Sequence, residues 1–248
     1  MPRSVLRLVL VAFLLAFLLA FLLALTGVAL VGAWLVATQR VSIPERWNPF
    51  APLNVQAPPG PLTSWKLWRA TREPQACRAA LNTSHLTYAP VADQATPEGC
   101  ALHDALRVER LDEARVSSRF LATCPLALGL AMYDRHYLQP AARAVYGEDV
   151  RQILHVGSYA CRNVARAAQG SLSQHAFANA IDIEGFVLTD GTRITVARDW
   201  ASDTRAGAFV KLAHDGACSV FNAVLGPDYD ALHRAHFHLD MGAYRICN

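Results

Sequence analysis

Charge is scarce in this chain: 17% of its 248 residues are Asp, Glu, Lys or Arg, against about 25% in an average soluble domain. Lysine is nearly absent, with two residues beside 21 arginines, a skew that reflects genome composition. The large net positive charge that accompanies a nucleic-acid surface is missing too. Beyond residue 38 the chain holds 21 basic and 20 acidic side chains, a net charge of +1. No C-x-x-C pair occurs, which excludes a thiolate zinc knuckle or a thioredoxin-like site. No internal repeat is present. The near-neutral composition after residue 38 is that of a globular domain, not of a disordered tail, a coiled coil or a multi-span transporter.

The apolar surplus lies at one end. Leu8 to Ala37 is a run of 30 residues without a charge, preceded only by Arg3 and Arg7. A helix crossing a bilayer needs roughly 20 apolar residues, whereas a secretory signal has an apolar core of about 7–15. Residues 1–38 therefore read as an uncleaved transmembrane anchor. Arg3 and Arg7 place the N-terminus in the cytoplasm by the positive-inside rule. The expected location is the inner membrane, single-pass, with the C-terminal domain in the periplasm. Residues 39–62 contain six prolines, Pro44 to Pro61, each restricting φ and removing an amide donor. They read as an extended juxtamembrane spacer, with Trp47 and Phe50 available to an interfacial aromatic belt. Residues 63–248 form one domain in size.

All six cysteines follow the anchor: Cys77, Cys100, Cys124, Cys161, Cys218 and Cys247. An even, well-spread set in an exported domain reads as a disulfide framework. Sequential pairing, 77–100, 124–161 and 218–247, keeps each loop local and is the expected connectivity.

Leu126–Leu138 is expected to be helical with Pro125 in its first turn, and Pro140 opens a further turn ending near Gly147. Val150–Val156 and Ala180–Leu188 read as strands. Asp190-Gly191 supplies a hairpin turn before Arg193–Val196. A helix follows at Ala206–Ala213, Gly226-Pro227 stops a next helical piece, and Ala235–Met241 reads as a final strand. The expected fold class is α+β: a small antiparallel sheet with flanking helices, preceded by one transmembrane helix.

Two segments concentrate metal-ligating side chains: Ser173 to Asp182, and His233 to Asp240. Successive strand residues alternate faces, so His236, His238 and Asp240 share one face while Phe237 and Leu239 take the other. Two His and one carboxylate with an open position make a catalytic zinc site, where bound water ionises near a pH of about 7. Taken singly, each residue has an ordinary structural role open to it, as a solvated strand face, a helix start or a cap.

Ser173-x-His175-x-x-Ala178-x-Ala180-x-Asp182 resembles the S-x-H-x-x-G-x-A-x-D signature of zinc D,D-carboxypeptidases. Lysostaphin-type endopeptidases and hedgehog domains share that group, and His236-x-His238 resembles its closing H-x-H. More closely, the body resembles the bacterial extensin-like C-terminal domain family. The matching stretches include Ile43-Pro44, Trp47-Asn48-Pro49, Gly157 to Asn163, His175 to Phe186, His214 to Cys218, Leu225 to Tyr229, and His236 to Asp240. The resemblance implies one Zn2+ held by His175, Asp182 and His238, with His236 beside it as a base or as a hydrogen-bond partner of the transition state. It implies Arg162 as a grip on substrate, and Asp240 and Ser173 as supports for the ligands. It further implies a zinc peptidase acting on peptidoglycan stem peptides, which the N-terminal helix would anchor to the membrane, while the near-neutral charge argues against a nucleic-acid partner. The alternative is a non-catalytic zinc-containing module that binds cell wall or protein. The signature glycine is Ala178 here, a departure at a position where glycine serves positive φ or close backbone approach.

Other candidates rank lower. His214 and Cys218 stand four apart, but Cys218 is of more use in a disulfide. Glu184 is a second carboxylate two residues after Asp182. His85, His103, His136 and His155 lack partners at ligand spacing.

Overall fold

The structure is a computed structural model that describes residues 3–38, 40–41 and 43–248. Met1, Pro2, Gln39 and Ser42, at the edges of the expected anchor and spacer, lie outside the described residues, as do the side chains of Arg3 and Arg7 on which the expected orientation rests. The chain divides into two compact units, Met1–Asn48 and Pro49–Asn248. The first is dominated by α1 (Arg3–Ala37), whose stretch Leu10–Ala37 is long and apolar enough to cross a membrane and has no buried residue. The Pro-rich stretch divides between the units. Leu53 and Val55 are buried in the core of the second, where Val55 N donates to Thr83 Oγ1 at 2.7 Å.

The second unit opens with α2 (Thr63–Ala70) and α3 (Pro74–Leu81). Strands β1 (Thr87–Pro90), β2 (Gln94–Ala95), β3 (Ala101–Leu102), β4 (Leu106–Arg110) and β5 (Arg115–Ala122) follow. Helices α4 (Cys124–Tyr133) and α5 (Gln139–Tyr146) are joined by one π-helical turn, Asp134–Leu138. Next come β6 (Val150–Gly157), β7 (Ala180–Leu188), β8 (Arg193–Thr195), α6 (Val196–Asp199) and α7 (Arg205–Cys218). The chain closes with β9 (Ala223–Leu225), β10 (Phe237–Asp240) and β11 (Ile246–Cys247).

Nine strands make one sheet in the order β1-β4-β5-β6-β7-β10-β9-β11, with β8 also on β7. The fold is mixed α and β as expected, but the sheet is large rather than small. Nor is it wholly antiparallel, since β5–β6 and β9–β11 run parallel. The helices between β5 and β6 supply the crossover that a parallel pair needs. Strand β7 is the hub. β6 lines one edge, while β10 pairs with Ala180–Ile183 and β8 with Gly185–Val187.

Local signals hold where they are strong. Thr123 caps α4, its Oγ1 accepting from Leu126 N at 3.3 Å, and Gly147 ends α5 at a φ of 71°. The β7–β8 hairpin forms around Asp190-Gly191, whose Asp190 carboxylate accepts from Thr192 N at 2.8 Å. Two expectations are corrected. Gly226-Pro227 ends the strand β9 and not a helix, because α7 already stops at Cys218. The strand expected over 235–241 is only Phe237–Asp240, because the residues before it turn, with His236 N donating to the His233 carbonyl at 3.3 Å.

The disulfides are Cys77–Cys124, Cys100–Cys161 and Cys218–Cys247. Only the last agrees with sequential pairing. Helix α3 packs on α4, which brings Cys77 to the first residue of α4 and overrides the preference for a local loop. The main core, with Phe186, Phe209, Phe221, Phe237 and Leu239, lies against one face of the sheet.

Candidate metal centre

Alternation on two neighbouring strands builds the site. On β7, Ile181 and Ile183 enter the main core, so Asp182 projects from the opposite face. On β10, Phe237 and Leu239 enter the same core, which turns His238 and Asp240 to Asp182's side. The register sets His238 directly across from Asp182. His175 comes from the 3-10 turn Gln174–Phe177 just ahead of β7, capped by Ser173, whose hydroxyl accepts from His175 N at 3.3 Å. That turn ends at Ala178 with φ 53° and ψ 32°, the left-handed region. The residue at the signature-glycine position thus adopts the glycine-like conformation itself, at a cost of about 1 kcal/mol. Its methyl is buried against Leu102 and Ala105, and its carbonyl accepts from Thr123 N at 2.9 Å. The departure at Ala178 leaves the loop between His175 and Asp182 closed.

Three atoms converge. His175 Nε2 lies 3.1 Å from His238 Nδ1 and 3.2 Å from Asp182 Oδ1, and His238 Nδ1 lies 3.0 Å from Asp182 Oδ1. The other nitrogen of each ring is engaged outside the cluster. His175 Nδ1 donates to the Ser158 carbonyl at 3.0 Å, and His238 Nε2 donates to Asp240 Oδ2 at 3.0 Å. Asp240 is held in turn by Gly242 N, 2.7 Å from its Oδ1. These outer bonds fix each neutral ring with its lone pair aimed inward, as is usual for metal-binding histidines. Three acceptors facing one another within 3.2 Å need a positive charge between them. A cation supplies it, or a proton on His238. Burial opposes charge on His238, but its bonds to Asp182 and Asp240 prevail and lift its pKa to about 9. Burial likewise opposes ionisation of Asp182, yet the two imidazoles hold its carboxyl far below the usual range. The donor set, two imidazoles and a carboxylate, fits zinc.

The profile of the family described as Extensin-like protein C-terminus matches residues 75–248, from α3 to the end of the chain. The chain belongs to that family. No curated protein and no solved structure matches it.

In this extensin-like domain the remaining candidates take distinct places. His236 sits before β10 with its Nε2 3.6 Å from Asp182 Oδ1, beside the cluster and partly exposed. Burial, outweighing the pull of Asp182, lowers its pKa, so it is neutral and able to accept a proton near neutrality. Asp240 supports His238 directly. Ser173 holds the turn that carries His175 and does not touch the imidazole nitrogens. Arg162 accepts Ser173 N at its carbonyl, 3.0 Å away, while the residue lines a surface recess with Glu98, Asn163 and Arg166. Glu184 lies 4.0 Å from Arg193 in an ion pair. One participant escaped the sequence: the Ser158 carbonyl orients His175, and a backbone oxygen has no signature. His233, which opens the second histidine-rich segment, packs its ring 5.4 Å from that of His236 and 5.8 Å from that of His238.

Among the described residues a second potential ligand group exists, His214, Cys218 and Cys247, but the Cys218–Cys247 disulfide closes it. His103 pairs with Asp93, His136 with the Val55 carbonyl and His155 with the Ser118 carbonyl, while His85 is exposed.

Proposed function

We propose that the unit Pro49–Asn248 is a zinc-dependent amide hydrolase held at the inner membrane by α1, facing the periplasm and acting on peptidoglycan stem peptides. The observation that carries the metal is the inward convergence of His175 Nε2, Asp182 Oδ1 and His238 Nδ1, with both outer ring nitrogens already bonded. The likeness to zinc D,D-carboxypeptidases supports the substrate class, and three disulfides support an oxidising compartment. A zinc ion held there supplies Lewis acidity toward the scissile carbonyl and toward water.

The chain's own groups do the rest. His236, neutral and 3.6 Å from Asp182 Oδ1, takes the proton of the attacking water and returns it to the leaving amine. Asp240 keeps His238 in its binding tautomer, and the Ser158 carbonyl does the same for His175. Arg162, from its neighbouring recess, binds a substrate carboxylate or carbonyl through its planar guanidinium.

The test has two parts. Metal analysis of the purified full-length protein is expected to find one zinc per chain, lost in His238→Ala. Digestion of purified cell-wall fragments is expected to release peptides with the native protein only. A second reading, a zinc-containing binding module without hydrolysis, draws on Glu184, the second carboxylate of β7, which pairs with Arg193 and is not part of the His175, Asp182 and His238 group. Zinc binding with no digestion product would favour it. A protein that takes up no zinc would end both readings.

A further inference from the structure

Helix α2 carries an exposed face that the metal site does not use. Leu67 and Ala70 bury into the core and Lys66 is buried beside them, so the outer face is made by Trp65 and Trp68, 41% and 52% exposed. Two arginines lie on these rings at i+4 spacing. The Arg69 guanidinium is 4.9 Å from the Trp65 centroid, and that of Arg72 is 4.6 Å from the Trp68 centroid. Arg69 also donates to the Pro49 carbonyl at 3.2 Å, next to Phe50, which is 77% exposed. Large apolar rings at this exposure, rimmed by cations, mark a contact surface.

The charge is concentrated in the same place. From Arg40 to Arg72 there are five basic residues and one acidic, a net +4 inside a chain whose total is +3. The remainder from residue 73 onward is net −3, once Arg3 and Arg7 are counted with the anchor. Only eleven residues separate the end of α1 from Pro49. Fully extended they reach about 40 Å, comparable to the width of a domain of this size.

We propose that the Trp65–Trp68–Arg69–Arg72 face of α2 seats on the lipid headgroups of the anchoring membrane. The choice of partner rests on the anchored reading of α1. Indole rings prefer the interfacial zone, and cations there are drawn to anionic lipid. The consequence is directional. Helix α2 packs with α3, which packs on α4, and its buried residues share the core with Phe237 and Leu239. His238 and Asp240 project from the opposite face of β10. Seating α2 on the bilayer therefore turns the metal cluster away from it.

The experiment uses the full-length protein in nanodiscs of mixed zwitterionic and anionic lipid, with and without brominated acyl chains that quench tryptophan. The quenched emission is expected to fall in part with W34F, which reports α1, and in separate part with W65F/W68F. R69E/R72E is expected to lose the second part selectively. As a readout that needs no variant, amide exchange across 63–70 is expected to slow in anionic discs relative to detergent. Quenching abolished by W34F and untouched by W65F/W68F overturns the proposal while the anchor stands. Quenching untouched by W34F overturns the anchor, whatever α2 does. Slowed exchange at 63–70 without quenching means that a second copy of the chain covers the face, which also overturns it.

Discussion

Consider the proton that a zinc ion, bound as proposed, must displace. In the metal-free protein the His238 pKa is about 9, so near pH 7 its Nδ1 carries a proton directed at Asp182 Oδ1, 3.0 Å away. Metal binding needs that same lone pair and must release the proton. One pH unit is worth about 1.4 kcal/mol for a single proton. The zinc affinity is therefore expected to rise about tenfold per unit, about a hundredfold between pH 7 and pH 9, and then to level off. The stability of the metal-free form runs the other way. The folded pKa lies above the ordinary imidazole value of about 6.5, so the stabilisation is complete below that value and is lost as pH rises through about 9. Its size is about 3 kcal/mol by linkage, little screened because the His238 side chain is only 11% exposed. Chelator competition at three pH values measures the affinity. Calorimetry in two buffers of different ionisation enthalpy counts the protons, and urea melts with and without zinc measure the opposing slopes. An affinity flat from pH 7 to 9 with no proton released would refute the assignment of His238 as ligand.

Three further outcomes are expected. Asp240→Asn removes the carboxylate that accepts from His238 Nε2 and weakens zinc binding about 10–100-fold, measured by the same competition; unchanged binding would show that Asp240 does not orient the ring. His236→Gln keeps the zinc and lowers the rate of wall digestion about 100-fold or more, so a variant with full activity would remove His236 from proton transfer. Replacing Cys77 and Cys124 by Ser opens a loop spanning 47 residues and costs about 4 kcal/mol on chain-entropy grounds, read from chemical denaturation under otherwise identical conditions.

Much of the site was legible in short-range pattern. The alternation of His236 to Asp240 with Phe237 and Leu239 placed the histidines opposite the core, and β7 runs over Ala180–Leu188 as its β-branched residues imply. His175, Asp182 and His238 do meet, as the resemblance implied and as spacing alone left open. The pattern overreached at Ala235 and His236, which belong to a turn closed by His236 N on the His233 carbonyl. It also continued a helical period past Cys218 into residues that pair as β9.

Residue type and spacing decide which way a side chain faces, because the strand period of two and the helix period of 3.6 are properties of the backbone alone. They settled the long apolar helix near the N-terminus, the hairpin at Asp190-Gly191 and the shared face of His238 and Asp240. Partners far apart in the chain are decided by packing, since loop closure favours near pairs only weakly and a buried helix interface outweighs it. Hence Cys77 joins Cys124 because α3 lies on α4, and β5 meets β6 in parallel across two helices. The Ser158 carbonyl reaches His175, and Ala178 turns left-handed, for reasons that exist only once the chain has folded around them.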